Sequence, residues 1–336
     1  MSKLLKQVLV AIVVVVAFLG GRWLWPNNAS DVSKDLPLIG VIQVIDHPAL
    51  DQTRQGIIDE LAEAGLIAGK TIQWHYESAQ GNPALASQIA QKFAGNKAKI
   101  IVALGTAPAQ AAAKVTQSSP GIAVVFSSVT DPIGTKLVLD PKSPEHNITG
   151  VSNFIDVDRQ FKLFQKIIQG LKRLGIIYNP GEANSVALLE KMQIAAKERD
   201  MVLVTAPASK TSEVLQAAQS LIGKVDALFV NNDNTALAAF DGVGKIGLEN
   251  KIPVFVSDVD CLDRGALAAL GPDQYKLGRQ TGKMIIKILK QGLKPSAIPV
   301  EWPKDVDFKF NLPIAQQLGI QFEDELISQA EQMGNE

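Results

Sequence analysis

The residues best placed for chemistry stand at the ends of apolar runs. Gly105-Thr106-Ala107-Pro108 follows the run Lys99–Leu104 and opens an alanine-rich segment. That order reads as a buried strand feeding directly into a helix. Thr106 is the expected N-cap, Gly105 the sharp turn, and Pro108 a first-turn residue whose missing N–H costs nothing. Such a helix opening points backbone N–H groups and the positive end of the dipole outward, so it can hold a carboxylate or a phosphate. Other polar clusters repeat the arrangement. Ser127-Ser128-Val129-Thr130-Asp131-Pro132 ends the next strand, Asn231-Asn232-Asp233-Asn234-Thr235 ends a later one, and Asp258 ends the run Pro253–Ser257. Asn184-Ser185 open a further helix, and His47 precedes Pro48 in the first strand-to-helix loop. Thr106, the Ala107 amide, Ser128 and Thr130 supply donors, while Asp131, Asp233 and Asp258 supply acceptors, with Asn184, Ser185, Asn234 and His47 beside them. Donors plus carboxylates suit a small zwitterion, its carboxylate on the Thr106 terminus and its ammonium on Asp233 or Asp258. Each residue also has an ordinary structural use: Thr106 and Asn184 as caps, Asp131 as the start of a turn before Pro132, Asn231–Asn234 as an Asx turn.

The elements that must carry these residues alternate regularly. Strands are expected at Leu38–Ile45, Lys70–Tyr76, Lys99–Leu104 and Ile122–Ser127, with helices at Leu50–Ala64, Pro83–Ala94 and Ala109–Val115 between them. After an extended crossing at Asn147–Val151 the pattern restarts: helix Asp156–Leu171, strand Arg173–Tyr178, helix Ser185–Arg199, strand Met201–Ala206, helix Ser212–Ile222, strand Ala227–Val230. Then come an extended Gly265–Gly271, a helix Gln274–Gln291, a proline-punctuated Pro295–Phe310 and two terminal helices. This predicts an α/β protein of two doubly wound parallel-sheet lobes, with polar strand ends facing a ligand cleft between them.

Composition narrows the classes of function. A net charge of −1 and a charged fraction of 20% argue against a nucleic-acid partner. Cys261 is the single cysteine, and His47, His75 and His146 have no metal-ligand spacing, so neither disulfide, metal nor cofactor is expected. No nucleophile elbow, phosphate loop or metal-binding helix stands in the sequence, which leaves Asp131 and Asp233 as the carboxylate pair of a conceivable cleft enzyme.

Lys3 and Lys6 precede the apolar run Val8–Leu19 and Gly20-Gly21-Arg22, the pattern of a secretory signal. Trp23 and Trp25 resemble interfacial aromatics, so a cleaved signal and a retained inner-membrane anchor over residues 8–25 both stay open. With residues 1–25 as signal or anchor, residues 26–35 form a polar linker. An exported, cell-envelope protein is expected.

The chain resembles the bacterial ABC-transporter substrate-binding protein family with a type I periplasmic-binding fold, in its tryptophan, tyrosine and phenylalanine branch. The resemblance rests on Gln43–Asp51, Gly105–Gln110, Val129–Pro132, Asn147–Ser152, Ile177–Ser185, Asn232–Thr235, and Gly265–Gly271 leading to Leu277–Gly282. It implies a receptor, not an enzyme, that closes on an amino acid and delivers it to a permease driven by an ATPase subunit. It implies three crossings between lobes, with residues 36–151 plus 261–298 as the first lobe, 152–260 plus 299–327 as the second and 328–336 as a tail. Thr106 and Thr130 match carboxylate-holding positions, and Asp233 or Asp258 the amino-group acceptor. Many relatives carry a lipid-anchor cysteine at the front, and this chain has none there. A sensing ectodomain of the same fold is the alternative to a transport receptor.

Overall fold

The computed structural model describes residues 36–144 and 146–333; the expected signal or anchor and the linker lie outside the described residues. The first lobe runs β1 (Leu38–Gln43), α1 (Pro48–Glu63), β2 (Gln73–Ser78), α2 (Pro83–Gly95), β3 (Ile100–Leu104), α3 (Thr106–Thr116), β4 (Ala123–Val129) and β5 (Ile148–Ser152). Its strands pair in parallel in the order β2-β1-β3-β4-β5. All but β2 are buried along their whole length, as continuous apolar runs covered by helices on both faces should be. The stretch expected as an extended crossing at Asn147–Val151 is thus an edge strand of this sheet.

The second lobe runs α4 (Val157–Ile167), β6 (Arg173–Tyr178), α5 (Ala183–Lys197), β7 (Val202–Pro207), a 3-10 turn at Thr211–Glu213, α6 (Val214–Ser220), β8 (Ala227–Val230), α7 (Asn234–Ala238), α8 (Phe240–Glu249), β9 (Val254–Val256), a 3-10 turn at Val259–Arg264 and β10 (Ala268–Pro272). The chain then passes to α9 (Gln274–Gln291) and returns through β11 (Val306–Phe310), α10 (Leu312–Leu318) and α11 (Asp324–Met333). The sheet order is β11-β10-β9-β8-β6-β7, parallel except for the β10–β11 pair. Stacked Phe164 and Phe255 rings, 4.0 Å between centroids, with Phe229 set edge-on, fill the layer between this sheet and α4.

The structure corrects the expected division of the chain. Residues 261–272 were expected in the first lobe, yet Leu267 N donates to Val254 O and Ala268 pairs with Phe255, which makes β10 a strand of the second sheet. The crossing falls at Pro272–Asp273, where Asp273 caps α9 through its side chain. Only from there does the chain rejoin the first lobe, and α9 packs across α1 at the closest possible approach. A Cβ on Gly56 would stand 2.1 Å from Tyr275 O, and one on Gly278 2.0 Å from Thr53 O. Residues 298–301 also remain with the first lobe: Val300 N donates to Pro141 O, and Glu301 N to Gly150 O. The expected tail from residue 328 is instead the continuation of α11.

Three segments therefore cross between lobes, after β5, after β10 and before β11. They are tied to one another, since Ser152 N donates to Glu301 O at 2.9 Å and Asp273 N to Asp305 O at 3.3 Å. Bundled crossings of this kind let two rigid lobes rotate about one line.

Candidate functional site

At Gly105 the chain turns from β3 into α3 with φ 99° and ψ 165°, a conformation open to glycine, and a Cβ there would meet Val44 at 2.8 Å. Gly105 is therefore the N-cap residue, and Thr106, expected as the cap, is the first residue of the helix and makes no capping bond. Its hydroxyl is left buried and unpartnered. Strand β4 does something similar one residue after its pairing with β3 ends. The register against β5 shifts between Ser127 and Val129, and Ser128 in that bulge takes φ 56°. A β-bulge re-aims a side chain, and a left-handed serine carries strain of about 1–3 kcal/mol that clusters at functional positions. The Ser128 hydroxyl is likewise buried without a partner, as is Asn153 Oδ1 on the crossing after β5.

These three oxygens line one cleft between the lobes. Among the described residues seven buried side-chain atoms lack a hydrogen-bond partner, one of them, Glu60 Oε2, being ion-paired with Arg279, so three in one cleft is a concentration that folding alone does not call for. From the first lobe the cleft also takes His47, Leu50 and Thr130; from the second, Asn184, Asn232, Asn234, Leu237 and Asp258; and Gln274 enters from the crossing that opens α9.

Charge in the cleft is set by burial. The His47 imidazole is held down to about 4 chiefly by desolvation, so it stands neutral. Asp258, 5% exposed, is pushed up to about 7 by burial first and by the neighbouring Asp260 carboxylate second. Its Oδ1 accepts from Asp260 N at 3.2 Å.

Four of the residues singled out in the sequence lie elsewhere. Asp233, expected as an amino-group acceptor, caps α7: Oδ1 accepts from Ala236 N at 2.7 Å, and Oδ2 accepts from Asn179 N and from Ser185 Oγ, both at 2.6 Å. Ser185 is thereby occupied too. Burial and the nearby Glu182 raise the Asp233 carboxyl above its ordinary range, against the pull of those three donors. Ala107 lines a neighbouring vestibule between α2, α3 and the start of α5. Asp131 accepts from Gly134 N at 2.8 Å and pairs with Lys191 Nζ at 3.1 Å across the cleft, from the first lobe to α5 of the second.

A second contact bridges the lobes where Gln52 Nε2 of α1 donates to Asp260 Oδ1 at 2.9 Å. Together with the Asp131–Lys191 pair it holds the lobes together over the cleft. Lys191 is 44% exposed on its side chain, so its pair is worth at most about 1 kcal/mol. Lys191→Met is expected to weaken ligand binding by up to about fivefold through faster release, with calorimetry and stopped-flow fluorescence as the readouts.

Two parallel α/β lobes, three bundled crossings and a polar cleft sealed by contacts from both sides define a solute receptor of the clamshell type. The chain belongs to the ABC transporter substrate binding protein family, whose model matches residues 38–333. That family binds solutes and is not enzymatic. A tyrosine-binding protein from Clostridioides difficile is 33% identical over 295 residues, spanning 88% of this chain and 84% of the relative. Among solved structures, a domain from Streptococcus pneumonia in complex with L-Trp is 31% identical with a TM-score of 0.83, covering 88% of this chain and 99% of that one. A ligand-free, open substrate binding protein from Clostridium difficile is 34% identical but scores 0.66, covering 86% and 97%. Substrate-binding proteins of ABC transporters act outside the cytoplasmic membrane, and among the described residues no helix is long and apolar enough to cross one.

Proposed function

We propose that this receptor takes an aromatic amino acid and delivers it to the permease of an ABC importer. The observation that carries the reading is the polarity across the cleft. The first lobe offers the Thr106 hydroxyl at the opening of α3 and the Ser128 hydroxyl from the β4 bulge, both donors without partners, where a carboxylate would sit. Opposite, the second lobe offers the Asp258 carboxylate for an ammonium. Leu50 and Leu237 are the apolar side chains of the cleft, one from each lobe, and would flank the apolar part of a ligand held there. The relatives named for tyrosine and crystallised with L-Trp support the same ligand class.

Thermal melts of the purified protein against the common amino acids test this. Tryptophan, tyrosine or phenylalanine at about a hundred times its dissociation constant is expected to add about 2.7 kcal/mol of stability, a clear upward shift in Tm. A flat response to all three, with a rise for a sugar or an inorganic anion, would overturn the reading. Delivery is tested separately, by loss of aromatic amino-acid uptake in a strain lacking this protein.

A further inference from the structure

We propose that Glu182, which does not line the cleft, is the positioning residue that turns the oxygens of Asn184 and Asn234 toward the ligand and so selects for a cationic amino group. This rests on the ligand reading above and concerns how the second lobe recognises the amino end.

Glu182 stands at the N-cap position of α5 but makes no capping bond to that helix. Its carboxylate reaches over to the opening of α7 instead. Oε2 accepts from Asn234 Nδ2 at 2.6 Å, from Asn234 N at 3.2 Å and from Asn184 Nδ2 at 3.3 Å. Oε1 accepts from Thr235 Oγ1 at 2.6 Å, from Thr235 N at 3.0 Å and from Asn179 Nδ2 at 3.4 Å. Asn184 Nδ2 donates in addition to Asn232 O at 2.8 Å.

The consequence follows from donor chemistry. A carboxylate and a backbone carbonyl only accept, so each carboxamide must present its NH₂ to them. Asn184 and Asn234 both line the cleft. With the Asn184 NH₂ spent on Glu182 and Asn232 O, and the Asn234 NH₂ turned to Glu182 through one of its hydrogens, the oxygens are the acceptors left for the ligand. Two amide oxygens and the Asp258 carboxylate then make an acceptor face opposite the hydroxyls of the first lobe. An ammonium satisfies that face, and a ligand without one leaves it unpaired, which buried acceptors penalise. A glutamine at position 182 would offer an NH₂ of its own to these groups. It keeps one carbonyl oxygen for the donors that two carboxylate oxygens now hold, so the carboxamides are no longer all held by their NH₂ ends and one is freed to turn over and present a donor to the ammonium.

The test compares paired probes that differ only in the amino group: L-tryptophan against indole-3-propionate, and L-tyrosine against 3-(4-hydroxyphenyl)propionate. In the unaltered protein the amino acid of at least one pair binds more tightly. In Glu182→Gln that preference is expected to shrink by about tenfold or more, the amino acid weakening while its des-amino partner holds within about twofold, measured by calorimetry or by competition. Asn234→Leu, which deletes one oxygen and leaves Glu182 in place, is expected to reproduce the selective loss and serves if Glu182→Gln fails to fold. Equal weakening of both members of a pair would show Glu182 to be only a structural cap for α7, and an unchanged preference would remove the orienting role. Silence of the unaltered protein toward all four probes would overturn the ligand reading itself.

Discussion

Asp258→Asn is expected to weaken binding of the amino acid by about a hundredfold or more, because an ammonium brought into the closed cleft loses its counter-charge and costs about 3 kcal/mol or more. The expectation has a pH signature that separates it from a packing defect. Asp258 in the folded protein is raised to about 7 from the ordinary carboxyl value of 3.8. Below about 7 it therefore holds a proton that an incoming ammonium must displace, since an adjacent positive charge favours the carboxylate. Affinity is expected to be full above pH 7 and to fall as the pH drops through 6, with a proton released on binding. Stability of the unliganded protein runs the other way. The raised folded value means a contribution present below pH 3.8 that is lost as the pH rises toward 7, where burial of the ionised group is a penalty. The ligand-induced rise in Tm should accordingly grow between pH 5.5 and 8 in the unaltered protein and become flat with pH in Asp258→Asn. A rise that is independent of pH in both, or an unchanged affinity, would remove Asp258 from the amino-group site.

Much of this arrangement was legible in the sequence, for a topological reason. Alternating β and α units place every strand's carboxyl end on one side, so His47, Thr106, Ser128, Thr130, Asn184, Asn234 and Asp258 were bound to face a common crevice. Asp233 shows the limit. An aspartate that caps a helix and an aspartate that meets a ligand have the same signature, and its occupants Asn179 and Ser185 stand 54 and 48 residues away. Asp131 misled for a related reason, its partner Lys191 lying in the other lobe. Leu50 and Leu237 were unreadable as cleft residues because an apolar side chain in a helix looks the same facing core or ligand. Asn153 and Gln274 had a signal that went unused: both sit on crossing segments, and crossings form the floor of a cleft between lobes. The lobe to which β10 belongs depends on hydrogen-bond partners at Val254–Val256, and a glycine-bracketed apolar piece fits either sheet.

The carboxylate end should be as sensitive as the amino end, and its two hydroxyls can be removed without disturbing the backbone that presents them. Thr106→Val keeps the branched shape at the first turn of α3. Ser128→Gly suits the bulge better than serine, since φ 56° is strained for a side chain and free for glycine. The double variant is therefore expected to melt at or above the temperature of the unaltered protein in the absence of ligand. Each hydroxyl lost takes away a hydrogen bond to a charged group, about 1.5–3 kcal/mol, so the pair should weaken the amino acid by at least about a hundredfold. The amide counterpart of the ligand, such as L-tryptophanamide, separates the causes. It has no carboxylate to be held by these donors, so its weak binding should change little in the variant. A loss shared equally by acid and amide would mean that the first-lobe hydroxyls shape the cleft and do not hold the charge. The backbone argues against that outcome: a left-handed serine in β4 and a positive-φ glycine before α3 both turn an unpartnered hydroxyl into the same space.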